Sequence, residues 1–386
     1  MYIRNKYRGD LTSHNHRVCL CLPVQWNYRV LETGEVVGWD TEFLTAAGLP
    51  ELAADWDRAG RAVVEPGRQV GAGLSCLAAA ELGLSPGTPV STSLIDAHAG
   101  ALGLLGSCGS GEVEGRLGLV TGTSTCHLLL SPTPRPVPGV WGPFFSAVLP
   151  GYWVTEAGQS STGGLLDHII NSHPARVEAE QRAAAADTTV YAVLETELTR
   201  LAESRGVEVT QLTSAIHMWP DYHGNRSPVA DPSLTGALVG LTLNVDLTSL
   251  ALLYLATLQA VSYGTRHIVE ALLAAGHTVT TVAVCGGLAR SLLYLQTQAD
   301  VLGVEVAVPC GGESVLLGAA ILAMSAAAPA TGLHTITARL GKAAIGHSVV
   351  KPTTENQKFH AAKYRVFLQM LQDQFKYRDI MKEFSG

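Results

Sequence analysis

The 386-residue sequence holds no Cys-x-x-Cys pair and no Cys/His set with zinc spacing, and its seven cysteines are scattered and odd in number. Structural zinc and a disulfide framework are thereby disfavoured, and reduced thiols in the cytosol are the expectation. No His-Glu-x-x-His occurs among the thirteen histidines. No Gly-x-Ser-x-Gly elbow is present, which removes the usual serine-hydrolase frame. Gly341-Lys342 is followed by Ala343 without the upstream spacing of a Walker A loop. Gly71-Ala72-Gly73 does not open a dinucleotide-binding unit, since Cys76 stands where the third glycine belongs. Charge is scarce as well, at 15% of residues with a net value of −7. Nucleic acid and anionic membranes, which need clustered Lys and Arg, are not expected partners. An anionic ligand must instead be met locally, by backbone N–H groups or a few placed cations. The N-terminus carries Arg4, Lys6 and Arg8, but no apolar stretch of secretory length follows. The uncharged run Val315–Ala330 is rich in alanine and contains Pro329, so it reads as a buried helix rather than a membrane span.

What is present is 47% hydrophobic residues over a length that suits two domains with sizeable cores. Leu117–Thr121 and Cys126–Ser131 are strand-like, and Gly122-Thr123-Ser124 between them predicts a hairpin. Leu250–Leu273 reads as a long apolar helix closed by Gly276. After it the pattern alternates: strand Val279–Cys285, turn Gly286-Gly287, helix Ala289–Val301, strand Val304–Val308, turn Gly311-Gly312, helix Ser314–Ala327. Such alternation predicts an α/β sheet with mostly parallel pairing there, with ligands bound where strands hand over to helices. Thr41–Leu49 predicts a short helix, Gly106–Gly115 a hinge-like loop, and Glu355–Phe384 an amphipathic helix on the outside.

Five stretches carry candidate chemistry. Asp96, after the apolar run Val90–Ile95, is either a helix N-cap or a carboxylate at a cleft mouth that takes a hydroxyl proton. Gly122, Thr123 and Ser124 are either a plain turn or a nest of N–H groups for a phosphate. Gly158 to Gly164 (Gly-Gln-Ser-Ser-Thr-Gly-Gly) reads as a helix start, either capped by Ser160 or Ser161 or offering free N–H donors to an anion. Gly286 and Gly287 either tighten a strand-to-helix turn or let a ribose or a flat ring approach. Asp221–Asp231 is a polar, proline-flanked loop in which Arg226 either ties back to Asp221 or Asp231, the favoured reading, or contacts substrate directly.

In series, Asp96, GTSTCH (122–127), AGQSSTG (157–163), GNRSP (224–228) and CGG (285–287) resemble the FGGY carbohydrate kinases, closest to their ribulokinases. The likeness runs from about Arg17 to about Ala328 and is strongest between Ser93 and Gly318. The resemblance implies an actin-like (ribonuclease H-like) ATPase fold that uses ATP and Mg²⁺ and phosphorylates a ketopentose of the ribulose type. It implies that Asp96 is the general base, with Ala97 beside it at the sugar. Gly122, Thr123 and Ser124 become the second phosphate loop, Gly158 and Thr162 lie near the nucleotide, and Gly286, Gly287 and Ser291 sit on its adenosine side. Ser291 departs from the asparagine frequent in relatives. No metal ligand is assigned to this sequence, and a homo-oligomer is left open. The family's opening Asp-x-Gly-Thr hairpin does not occur. The expectation is therefore an unplaced segment over 1–16, a shortened N-terminal domain over 17–105, a complete C-terminal, nucleotide-side domain over 113–328 and a helical tail over 329–386. A chain so built is expected to be a poor kinase, or a silent fragment that binds nucleotide or a full-length subunit. A non-kinase actin-like ATPase is disfavoured by Asp96 together with GNRSP.

Overall fold

A computed structural model describes residues 17–19, 28–31, 33, 35–54, 62–107, 113–310, 313–343 and 347–384. The segment 1–16, the interior of the Gly106–Gly115 loop and the Gly311-Gly312 turn lie outside the described residues.

Before the main sheet the chain forms four short strands, β1 (Arg17–Cys19), β2 (Tyr28–Val30), β3 (Val36–Trp39) and β4 (Ala62–Val64). The first and fourth pair in parallel, and the middle two form an antiparallel hairpin. Helices α1 (Thr41–Ala46), α2 (Pro50–Ala54), α3 (Cys76–Leu82) and α4 (Asp96–Ser107) accompany them. The predicted helix at 41–49 ends at Ala46, and Asp40 caps its start through the Phe43 N–H.

The centre is a seven-stranded mixed sheet. Its strands are β5 (Arg116–Thr121), β6 (Thr125–Ser131), β7 (Trp141–Phe145), β8 (Trp153–Gln159), β11 (Thr281–Gly286), β12 (Glu305–Pro309) and β13 (His347–Val350), in the order β13-β12-β11-β5-β6-β8-β7. β11 pairs in parallel with both β5 and β12, and the remaining ladders are antiparallel. A separate antiparallel pair joins β9 (His217–Trp219) and β10 (Ala237–Val239).

Alternation along the strands divides the sheet between two cores. Leu117, Leu119, Leu129, Val282 and Val284 face one side. There they meet α5 (Gly163–Ser172), α6 (Arg176–Ala185), α7 (Val190–Arg205), α8 (Leu247–Ala274) and α9 (Leu292–Leu302). Leu128, Leu130 and Val154 face the other side, toward α4, α10 (Ser314–Ala327) and α11 (Leu333–Ala343). α8 is the one described helix long and apolar enough to span a membrane, and most of it is buried in this core. His277 N donates to Leu272 O and Gly276 takes φ +84°, the closure expected for a glycine at that place. The tail helix α12 (Thr354–Lys382) buries Tyr364, Phe367, Met370 and Leu371 against Trp219 and Tyr263, so it is packed more deeply than an outer helix.

α4 and α10 cross with almost nothing between their backbones. A Cβ on Gly103 would lie 2.1 Å from Ser314 O, and one on Gly318 would lie 1.9 Å from Ala99 O. Glycine is required at both positions, and the crossing ties the helix that begins with Asp96 to the helix after β12.

Candidate active site

Because β5 and β11 run parallel, their C-terminal ends lie side by side, with Thr121 paired to Gly286. The hairpin tip Gly122–Ser124 and the Gly286-Gly287 turn therefore share one edge. Thr121 Oγ1 donates to Cys285 O at 2.5 Å and fastens the two together. Gly286 has φ +91°, and a Cβ there would fall 1.8 Å from Thr121 O. Gly287 differs: no atom lies within 4 Å of where its Cβ would be, and it faces open space.

At the hairpin tip Gly122 N donates to Ser124 O at 2.8 Å. The N–H groups of Thr123 and Ser124 have no backbone acceptor among the described residues. The N-terminus of α5 packs directly beneath. Thr162 N and Gly164 N donate to Thr123 O at 2.8 and 3.1 Å, and Gly163 N donates to Gly122 O at 3.1 Å. The helix-start N–H groups expected to await an anion are thus spent on hairpin carbonyls. The first residue of α5 is Gly163, and Thr162, rather than Ser160 or Ser161, takes the cap position. The buried Thr162 hydroxyl lies 2.8 Å from that of Thr125 and 3.3 Å from Gly122 O. Its function in the fold is to hold the tip down.

Asp96 is the first residue of α4 and is exposed, with Ala97 half-buried beside it. The Asp96 carboxylate accepts the Ala97 N–H at 2.8 Å, so the capping tendency read from sequence is realised within its own first turn. Two residues on, His98 is buried and its Nε2 lies 2.9 Å from Glu156 Oε2. The other oxygen of Glu156 accepts from an Arg226 terminal nitrogen at 3.2 Å. The Arg226 guanidinium lies over the Trp141 ring, 4.3 Å from its centroid. Arg226 therefore does not tie its own loop to Asp221 or Asp231. Asn225 bonds Asp221 at 2.7 Å instead, and Arg378 of α12 takes Asp231 at 2.7 Å. Burial raises the Asp221 carboxyl to about 6, against hydrogen bonds from Asn225 and Trp219.

Gly158 belongs to β8 rather than to a helix start. A Cβ there would lie 3.0 Å from Arg226 Cζ and Nε and from Thr125 O, so its bareness makes room for the guanidinium. Cys126 stands in the same neighbourhood. Burial, foremost, raises its thiol pKa; Arg226 opposes the rise, and the carboxylates of Glu156 and Asp96 add to it.

Ser291 caps α9, its Oγ accepting from Tyr294 N at 3.1 Å and donating to Glu195 Oε1 at 2.7 Å. A single turn of 3₁₀ helix over Gly287–Arg290 precedes it, so the helix begins at Leu292 rather than Ala289. Sequence reasoning missed His98, Glu156 and Trp141. A usable signal existed in Trp153–Gln159, where the charged Glu156 stands inside a strand with no other charged residue.

The family model of the FGGY carbohydrate kinases, C-terminal domain, matches residues 117–327. An FGGY carbohydrate kinase domain-containing protein of Danio rerio is 43% identical over 374 residues, covering 94% of this chain and 67% of that protein. A D-ribulokinase of Saccharomyces cerevisiae is 36% identical over 336 residues, covering 81% of this chain and 47% of its own length. Among solved structures, the xylulose kinase from Rhodospirillum rubrum superposes with a TM-score of 0.70 at 21% identity, covering 97% of this chain and 67% of that one. Plasmodium falciparum glycerol kinase shares the fold at a TM-score of 0.62 and 14% identity, covering 94% and 64%. The chain spans about two thirds of the length of the Danio rerio protein and of the Rhodospirillum rubrum enzyme, and about half that of the yeast enzyme. The fold is the actin-like ATPase fold of these sugar kinases, and the chain belongs to the FGGY family of carbohydrate kinases.

Proposed function

We propose that this chain takes part in ATP-dependent phosphoryl transfer to a hydroxyl of a ketopentose of the ribulose type. The supporting observation is the exposed Asp96 carboxylate at the start of α4, which His98 ties to β8 next to β6, whose hairpin tip carries two N–H groups without backbone acceptors among the described residues. In this reading the Thr123 and Ser124 N–H groups hold phosphate oxygens, and Gly287 leaves room for the ribose or adenine. Thr162 and Gly286 act by shaping the tip, Gly158 by seating Arg226, and Ser291 by starting α9 behind the adenosine. As the sugar oxygen forms its bond to the γ-phosphorus, the bond from that phosphorus to the bridging oxygen of ADP breaks, and Asp96 accepts the hydroxyl proton. Among the described residues no three His, Cys, Asp or Glu side chains converge as a cation site. Mg²⁺ would enter bound to the nucleotide phosphates, and no residue here is assigned to it. We assign residues 113–328 to the nucleotide side and 17–105 to the acceptor side. Free thiols at Cys76, Cys126, Cys285 and Cys310 support action in the reducing cytoplasm.

The kinship with D-ribulokinase and with bacterial ribulokinases favours ribulose as acceptor. The test is ADP release by the full chain with Mg-ATP and D-ribulose, L-ribulose, D-xylulose or glycerol in turn. A ribulose should be preferred over glycerol in kcat/KM by about tenfold or more, the scale a few lost hydroxyl contacts produce. Glycerol as the best acceptor would overturn the sugar assignment. ATP binding with no sugar-dependent ADP release would replace the kinase reading with that of a silent nucleotide-binding chain.

A further inference from the structure

The first turn of α4 has a problem of support. Asp96 is exposed, and its described hydrogen bond goes to its own neighbour, Ala97 N. That bond fixes the carboxylate to α4 but not to the sheet that carries the phosphate hairpin. The nearest fastening is His98, whose Nε2 meets Glu156 on β8 at 2.9 Å, with side chains 1% and 6% exposed. Glu156 is gripped from the opposite side by Arg226, itself only 21% exposed. Both carboxylate oxygens are therefore engaged, one toward α4 and one toward the 221–231 loop, and the group cannot rotate without breaking a buried charged contact. Arg226 is in turn confined by the Trp141 ring on one side and the bare backbone of Gly158 on another.

The geometry points to Arg226 as a positioning residue for Asp96, acting through a three-member bar, Arg226–Glu156–His98, that holds the first turn of α4 against β8. The inference rests on the kinase reading for its functional consequence but not for its structural content. Arg226 touches neither the hydroxyl nor the phosphoryl group in this scheme. Its effect is on where Asp96 stands, and a displacement of about 1 Å at such a site commonly costs on the order of 10²-fold in rate.

Two variants attack the bar differently. Arg226→Gln removes the charged grip; Gly158→Ala keeps the arginine but puts a Cβ 3.0 Å from its guanidinium. Hydrogen–deuterium exchange should rise about tenfold at the amides of 97–100 in both variants, with those of α5 changed less than twofold. Unchanged exchange at 97–100 in both would overturn the inference, and so would an equal rise in both helices, the mark of general loosening. On activity, Arg226→Gln should lower kcat about 10²-fold with KM for ATP within twofold, and Arg226→Lys should recover part of the loss. In an Asp96→Asn background, Arg226→Gln should add nothing, because the group it positions is gone; an undiminished further loss would show a separate role. If the unaltered chain shows no sugar-dependent turnover, the kinase reading fails, while the exchange data still decide whether the bar holds α4.

Discussion

The two sides of the candidate site are made of different material. The phosphate side, Thr121–Ser124 with the start of α5 and the Gly286-Gly287 turn, is built from backbone, with hydroxyls and missing side chains to shape it. The acceptor-facing side is held by buried charged side chains that reach α4 from β8 and the 221–231 loop of the nucleotide-side segment. Backbone surfaces cost little to desolvate once their own hydrogen bonds close, and they tolerate few shapes of residue. A buried ionic bar is expensive to assemble and strongly penalises removal of one member. The phosphate side should therefore fail through added atoms and the acceptor side through lost charges.

The largest effect expected from this contrast is at Asp96. Asp96→Asn keeps size and the Ala97 contact but cannot accept the hydroxyl proton, so kcat should fall by roughly 10²–10⁴-fold. ATP affinity, measured by titration calorimetry, should stay within twofold, because the phosphate side is intact. Near-normal turnover would place the base elsewhere and dissolve the division into two sides.

Next comes the glycine pair. Gly286→Val forces a β-branched residue to positive φ and into Thr121 O, and should destabilise by about 3 kcal/mol or more in urea unfolding. Gly287→Val meets no atom within 4 Å in the protein. It should leave stability within about 0.5 kcal/mol while weakening ATP binding about tenfold, the scale of one displaced contact. Weakened folding with unchanged ATP affinity at Gly287 would make both glycines structural.

The smallest effect concerns His127, which lies on β6 between the two sides, fully buried and 3.1 Å from Thr265 Oγ1. Burial, foremost, with Arg226 adding, lowers its pKa to about 3. The unfolded chain then binds the extra proton first as pH falls below about 6.5, so this residue's contribution to stability declines from there toward pH 3. The slope should approach about 1.4 kcal/mol per pH unit below pH 6. His127→Gln should flatten the urea-midpoint profile between pH 7 and 5 relative to the unaltered chain; an unchanged slope would mean His127 takes up its proton at the same pH in the folded and unfolded chains.

The same contrast explains what could be read in advance. The hairpin at 117–131, the helix at 314–327 and the long helix near 250–273 are announced by local alternation, turn residues and a closing glycine. The hairpin tip and the Gly286-Gly287 turn were legible because each is a short local turn between elements. The acceptor bar was not, since His98, Glu156 and Arg226 are separated by 58 and 70 residues, and nothing local distinguishes Arg226 from a loop-tying arginine. Gly158 illustrates the limit. Its sequence neighbours suggest a helix start, whereas its actual duty is to a guanidinium far along the chain. Likewise the Ser160 and Ser161 hydroxyls looked like caps, but the hairpin carbonyls claimed the helix's first N–H groups instead.

The crossing of α4 and α10 has a consequence for inherited variation. Every single-base change that alters a glycine codon to another amino acid adds a Cβ, and at Gly103 and Gly318 that atom would land about 2 Å from a carbonyl oxygen of the facing helix. Neither position has a silent amino-acid neighbour one mutation away. Missense alleles at these two codons should appear as loss of protein in cells, even though neither residue approaches the hairpin tip, and they would be misread as catalytic lesions by an assay that did not first measure abundance.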